Sequence, residues 1–196
     1  MTPEQQSQWQ YGIDLLCWSL REGPGTTEEF NRLTTPIRQW DGFINQLHWH
    51  RVAGLAWRRL AHFRNQLPED VANALQQAGH QTASLAMKHG QELIHLSRQF
   101  NDKALPFVIL KGLPQSLRLY QDAGRRFSRD IDILVPEARI EDAHDILTAS
   151  HYVPAYPAIT APDLFIKRFR QQRKDCTYNN RQNGTVVELH WRLNNN

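Results

Sequence analysis

The sequence predicts an α+β protein in which a helical region over residues 1–103 precedes an α/β core over residues 104–196. Three observations carry that reading. Apolar residues recur at three- and four-residue steps as far as residue 103, the period of one helix face. Beyond it they come in short runs separated by turn-forming residues. Between the last two of those runs stands Asn183-Gly184, a strong hairpin signal.

The first helix is "PEQQSQWQYGIDLLCWSL", closed by the turn-rich "REGPGTT". In "PIRQWDGFINQLHWHRVAGLAWRRLAHF", Trp40, Phe43, Ile44, Leu47, Leu55, Leu60 and Phe63 share one face, which predicts a single long helix opened by Pro36 and capped by Thr35. A second long helix runs through "EDVANALQQAGHQTASLAMKHGQELIHLSRQF", with Val71, Leu75, Ala78, Leu85, Leu93, Leu96 and Phe100 facing inward and Gly79 and Gly90 as points of bending or breakage. Such wide apolar stripes demand a partner surface, so the helical region is expected to pack on the sheet.

The second half reads as alternating short elements. "LPFVILKG" is a strand, "LPQSLRLYQ" a short helix and "RRFSRDIDILV" the next strand. "PEARIEDAHDILTASH" is a helix started by Pro136, with Ile140, Ala143, Ile146 and Leu147 on one side. "YVPAYP" is a third short strand and "DLFIKRFRQQ" a short helix; "KDCTYNN" and "TVVELHW" then flank "RQNG" as the two arms of a hairpin.

Composition limits the classes open to the chain. Its 196 residues, 40% hydrophobic and 22% charged, suffice for a real core. No stretch approaches the roughly 18 consecutive apolar residues that span a bilayer, so no membrane partner is expected. The start, "MTPEQQSQWQYG", has neither the basic nor the apolar part of a signal peptide, which points to the cytoplasm. Cys17 and Cys176 read there as two reduced thiols rather than a disulfide or a zinc framework. The net charge of +3 and pI of 9.0 come from dispersed arginines, and they fit a solvated surface better than a nucleic-acid face; no DNA partner is expected.

"FSRDIDILV" puts two carboxylates inside an apolar run. Side chains alternate along a strand, so Asp130 and Asp132 share one face while Ile131, Ile133 and Val135 share the other. Unneutralised, carboxylates about 6 to 7 Å apart repel by roughly 3 kcal/mol at an effective dielectric of 20. A cation removes that penalty, and hard divalent ions such as Mg²⁺ take oxygen ligands in this way. Glu188, in the second apolar run "TVVELHW", is the third carboxylate of the same kind, with His190 on its own face. His190 either contacts substrate, supports the carboxylate or is structural. At Lys111-Gly112 a strand passes directly into a helix, a geometry that lets backbone N–H groups face phosphate oxygens while the lysine adds charge. Arg126 and Arg129, just ahead of the aspartates, either clamp a phosphate or pair with Asp130 or Asp132. "HWH" at 48–50 is set aside as a metal pair, because helical residues two apart diverge.

The ordered set "VILKG", "LRLY", an arginine before "DIDILV", and "VVELHW" resembles the polymerase-β-like nucleotidyltransferase superfamily. Within it the closest likeness is to the uncharacterised bacterial nucleotidyltransferases that carry an N-terminal helical region. The resemblance implies a mixed sheet with helices behind it and two Mg²⁺ ions held by Asp130, Asp132 and Glu188, with Glu188 also a possible base. It further implies that the glycine-bearing turn at Gly112 holds the triphosphate. The implied activity moves a nucleoside monophosphate from an NTP to a hydroxyl of a small molecule, protein or RNA end. The alternative is a non-catalytic nucleotide- or protein-binding module derived from that fold. Two departures stand out. Lys111-Gly112-Leu113 offers one glycine and no hydroxyl before Ser116, where the superfamily has Gly-Ser or Gly-Gly. Relatives of this kind also continue beyond the "ELHW" strand, which implies a core truncated at its C-terminal end.

Overall fold

A computed structural model describes residues 2–155 and 171–194. The chain is α+β and divides into two compact units, Met1–Ser84 with Gly124–Phe127, and Leu85–Ala123 with Ser128–Asn196. The boundary between Ser84 and Leu85 falls inside the helix Glu69–Asp102.

The first unit is helical: α1 (Pro3–Ser19), α2 (Thr27–Thr34), α3 (Trp40–Trp49), α4 (Ala53–Leu60), a 3-10 segment (Ala61–Gln66) and the opening turns of α5 (Glu69–Asp102). Both α1 and α2 start on capping boxes, Thr2 with Gln5 and Thr26 with Glu29, so each threonine oxygen accepts from the backbone N–H three residues on. α2 is absent from the sequence reading although its Thr26-x-x-Glu29 signature is legible; the surrounding turn residues masked it. The core gathers on Trp18, Phe30 and Phe63, with Phe30 and Phe63 stacked at 4.5 Å between centroids. Arg59 lays its guanidinium over Trp18 at 4.8 Å, which accounts for a charged side chain buried in this core.

The helix expected from Pro36 to Phe63 is instead broken in two. Pro36 follows α2, Thr35 is the C-cap of α2, and α3 begins only at Trp40 without a side-chain cap. The break after α3 is a Schellman stop: Arg51 donates to the His48 carbonyl and Val52 to the Leu47 carbonyl, with Arg51 at φ +56°. α5 ends the same way on Ala104, φ +48°, with Leu105 donating to the Phe100 carbonyl. Neither stop uses glycine, so neither left its usual mark in the sequence.

Gly79 and Gly90 do not break α5, which runs unbroken for 34 residues. They serve close approach. A Cβ on Gly79 would lie 2.8 Å from Cδ1 of Trp57, and one on Gly90 would lie 3.3 Å from a methyl of Leu113.

The second unit holds the sheet: β1 (Val108–Ile109), α6 (Leu113–Tyr120), β2 (Ile131–Leu134), a 3-10 turn (Glu137–Arg139), α7 (Ile140–Ala149), β3 (Tyr152–Pro154), β4 (Asp175–Asn180) and β5 (Val186–His190). The helix expected over "DLFIKRFRQQ" lies almost wholly outside the described residues. The strands order β1-β2-β5-β4-β3, all neighbours antiparallel except β2 and β5, so the sheet is mixed. One face, Ile131, Ile133, Val135, Val187, Leu189 and Tyr178, is buried in a core with Leu93, Leu96 and Phe100 of α5 and Ile140, Ile146 and Leu147 of α7. Buried Glu92 of α5 ties β3 to the turn between β4 and β5: Tyr152 and Asn183 each donate to one of its oxygens at 2.8 Å. No helix among the described residues is long and apolar enough to cross a membrane.

The helix ends and glycine contacts reverse the usual ranking of two substitutions. Ala104→Gly should raise stability by about 0.5–1 kcal/mol by relieving left-handed backbone. Gly79→Ala, ordinarily favourable in a helix by up to about 1 kcal/mol, should lower it by about 1 kcal/mol or more because the Trp57 ring must move. Urea titrations of both variants measure the two signs.

Candidate active site

The second face of the sheet carries the polar residues. Because β2 runs parallel to β5, Asp132 stands opposite Glu188; because β4 runs antiparallel to β5, Asp175 stands opposite His190. Alternation along each strand then turns these four side chains to one side, away from the apolar core. Asp132 is 1% exposed and Asp130 8%, depths at which a carboxylate requires compensation.

Part of that compensation is the ammonium of Lys111, which lies 3.1 Å from Oδ1 of Asp132 and 3.6 Å from Oδ1 of Asp130. The repulsion expected between the two aspartates is therefore answered, in the protein alone, by this lysine. His190 adds a second contact, its Nε2 being 3.0 Å from the same Asp132 oxygen. The imidazole also lies 3.7 Å from Glu188 through Nε2 and 3.7 Å from Asp175 through Nδ1. Arg129 reaches Asp130 only at 4.0 Å and is largely exposed. Arg126 belongs to the segment Gly124–Phe127, which is part of the helical unit.

Burial opposes ionisation of Asp132, but the hydrogen bonds and charges of His190 and Lys111 outweigh it and hold its carboxyl below the ordinary range. For Lys111 burial likewise works against the charge and is overcome by Asp132, Asp130 and Glu188, so its value rises. Glu188 goes the other way. Burial first, then the charges of Asp130 and Asp132, push its carboxyl up, against the pull of Lys111. Two neighbouring acids are thus driven apart, one held charged and one made basic, a pattern typical of sites that move protons.

The oxygen chemistry fits a divalent cation. Oδ2 of Asp132 is buried and has no hydrogen-bond partner, and ligand atoms of Asp132, Glu188 and His190 all lie within 4.8 Å of one another. A buried, unpartnered carboxylate oxygen beside a second carboxylate is the donor set that a hard cation satisfies.

Beside this cluster is the turn from β1 into α6. Gly112 caps α6 at φ +81° and ψ −130°, backbone open in practice to glycine alone, and a Cβ there would lie 3.1 Å from Oγ of Ser128. Ser116 is fully buried and donates to the Asp122 carbonyl at 2.7 Å, so its hydroxyl is committed within the fold. The hydroxyl beside the turn is that of Ser128, which donates to the Asp130 carbonyl at 2.9 Å.

Four features escaped sequence reasoning. The Lys111 contact with both aspartates depends on where β1 ends, two residues into a strand too short to place by pattern. Asp175 was legible in principle, since a hairpin register through Asn183-Gly184 sets it across from His190. Ser128 lies in an irregular segment and left no signal. His89, 3% exposed on α5, has its pKa lowered by burial despite the opposing charge of Asp130, and nothing in the sequence links helix to strand.

Comparison with known proteins adds one finding. Residues 36–196 match a family described as uncharacterised nucleotidyltransferases. No curated protein and no solved structure matches the chain.

The opposed carboxyl shifts predict opposed mutational signs without metal. Asp132 has a folded pKa below its unfolded value, about 3.9, so its stabilisation is present above that pH and lost as pH falls through the lower folded value. Glu188 has a folded pKa above its unfolded value, about 4.3, so its ionised form costs stability above the folded pKa, and the cost vanishes on acidification. At pH 7, Asp132→Asn should lose about 2–4 kcal/mol and Glu188→Gln should gain up to about 1 kcal/mol; toward pH 4 the Glu188 difference should vanish while most of the Asp132 difference persists. Denaturant titrations across pH 4–8 in chelator check the pair; equal signs would contradict the assignment.

Proposed function

The chain belongs to the family of uncharacterised nucleotidyltransferases, and from that premise we propose that it moves a nucleoside monophosphate from an NTP to an acceptor hydroxyl. The observation that carries this reading is the register of Asp132 against Glu188, with a buried Asp132 oxygen left without a partner. Asp130, Asp132 and Glu188 are the residues proposed to hold Mg²⁺, two ions in the family manner. When bound, Mg²⁺ supplies positive charge to the phosphoryl oxygens during in-line displacement.

The protein's own groups divide the remaining work. The acceptor oxygen forms a bond to the α-phosphorus while the bond to the β-phosphate breaks, and pyrophosphate leaves. Glu188 takes the acceptor's hydroxyl proton, a role supported by its place opposite Asp132 on β5. Lys111 and the N–H groups at the Gly112 turn steady the leaving phosphates, supported by the positive φ of Gly112 and the adjoining start of α6. Arg126 and Arg129 are assigned to the phosphate tail, a reading supported by their planar guanidiniums and their place just ahead of the aspartates in sequence. Acceptors open to this chemistry are a small molecule, a protein side chain or an RNA end. We assign the activity to the cytoplasm, a reading supported by the two unpaired cysteines.

A second reading has its own observation. Lys111 already neutralises both aspartates, as a built-in counter-ion would in a non-catalytic nucleotide- or protein-binding module. Incubation with each α-labelled NTP, Mg²⁺ and cell extract separates the two. The transferase reading expects label on a discrete acceptor, with Asp132→Asn and Glu188→Gln each reducing transfer by at least about a hundredfold. Nucleotide binding that is indifferent to Mg²⁺, with no label transferred by the wild type, would favour the module.

A further inference from the structure

We infer that the divalent ion of this site is held through nitrogen as well as oxygen, with His190 as a ligand and Asp175 as the residue that orients it, so that the site prefers Mn²⁺ to Mg²⁺. The inference rests on the metal reading proposed above and extends it to an imidazole that the carboxylate triad leaves unused.

Three observations point the same way. Nε2 of His190 is aimed into the carboxylate cluster, 3.0 Å from Asp132 and 3.7 Å from Glu188. The separations are those of donors to one ion: atoms at about 2.1 Å from a six-coordinate cation lie about 3 Å apart in cis and about 4.2 Å apart in trans. The whole group of candidate ligand atoms spans at most 4.8 Å, so small side-chain shifts close it on one ion. His190 is also buried, 6% exposed, and fixed by its place opposite Asp175 on β4, so the ring is held toward the cluster.

The far side of the ring supplies the third observation. Oδ2 of Asp175 lies 3.7 Å from Nδ1. Metal-bound histidines characteristically present their second ring nitrogen to a carboxylate, which fixes the tautomer and raises the basicity of the ligating nitrogen. In the metal-free protein Nε2 donates to Asp132; with an ion bound, the hydrogen would sit on Nδ1 facing Asp175 and the Nε2 lone pair would be free for the ion. Imidazole is a good donor to Mn²⁺ and later first-row ions and a poor one to Mg²⁺, which favours all-oxygen surroundings and holds its water tightly. A histidine serving only to hydrogen-bond Asp132 would make no such distinction.

The test uses the full chain with Mn²⁺ alone as probe and Mg²⁺ as competitor. Pulsed EPR of the Mn²⁺-loaded wild type should show nitrogen coupling from a directly bound imidazole, and competition should place Mn²⁺ affinity at least about tenfold above that for Mg²⁺. His190→Gln should abolish the nitrogen coupling and weaken Mn²⁺ at least about tenfold while changing Mg²⁺ less than about threefold; Asp175→Asn should weaken Mn²⁺ about tenfold with the coupling retained. Bound Mn²⁺ without nitrogen coupling in the wild type overturns the inference even if His190→Gln does not fold, and so does a parallel loss of both ions in that variant. Either result leaves the carboxylate metal site standing, whereas a wild type that binds neither ion removes that reading together with this one.

Discussion

The site depends on two parallel strands, β2 and β5, meeting in the register that sets Asp132 against Glu188. A slip of one residue would turn the carboxylates into the core and the core residues toward solvent, since side chains alternate with period two. The register is held by what lies behind it: Ile131, Ile133 and Val135 on one strand and Val187 and Leu189 on the other are almost fully buried against α5 and α7. The apolar half of each strand thus positions the acidic half. The antiparallel β4 extends the arrangement by one strand, bringing Asp175 beside His190.

Concentrating acids on one face creates an electrostatic strain that the protein resolves unevenly. Lys111 and His190 both face the same oxygen of Asp132, which keeps that carboxylate charged and leaves its other oxygen without a partner. Glu188 receives little of this help, so burial and its charged neighbours make it the more basic group. A fully paired set of side chains would be a structural network and nothing more. Here the pairing stops short by one buried oxygen and one basic carboxyl, the two features that metal binding and proton acceptance call for.

Much of this was legible because it follows from periodicity. "DIDILV" and "VVELHW" state both the buried face and the acidic face of their strands, and Asn183-Gly184 marks the turn that joins β4 to β5. The motif likeness was equally legible, and the family match over residues 36–196 agrees with it. What stayed hidden depended on local backbone or on distant packing. Arg51 and Ala104 adopt left-handed conformations that favour glycine, so two helix ends passed unseen. Gly79 and Gly90 read as breaks because the reasons for them, Trp57 and Leu113, come from other helices. Lys111 read as a phosphate ligand from its place before a helix, and its contact with two aspartates appears only once β1 is laid beside β2.

If the site works as proposed, nucleotide and divalent ion meet at Asp132. Thermal unfolding with a non-hydrolysable NTP analogue, with and without Mg²⁺, is the sharpest check, because a ligand that binds only the folded state stabilises it by about 2.7 kcal/mol at a hundred times its dissociation constant. The analogue should raise Tm in the wild type only when Mg²⁺ is present, and Asp132→Asn should lose the increment. An equal rise without the metal, or an undiminished rise in the variant, would show that the ion and the nucleotide do not meet there.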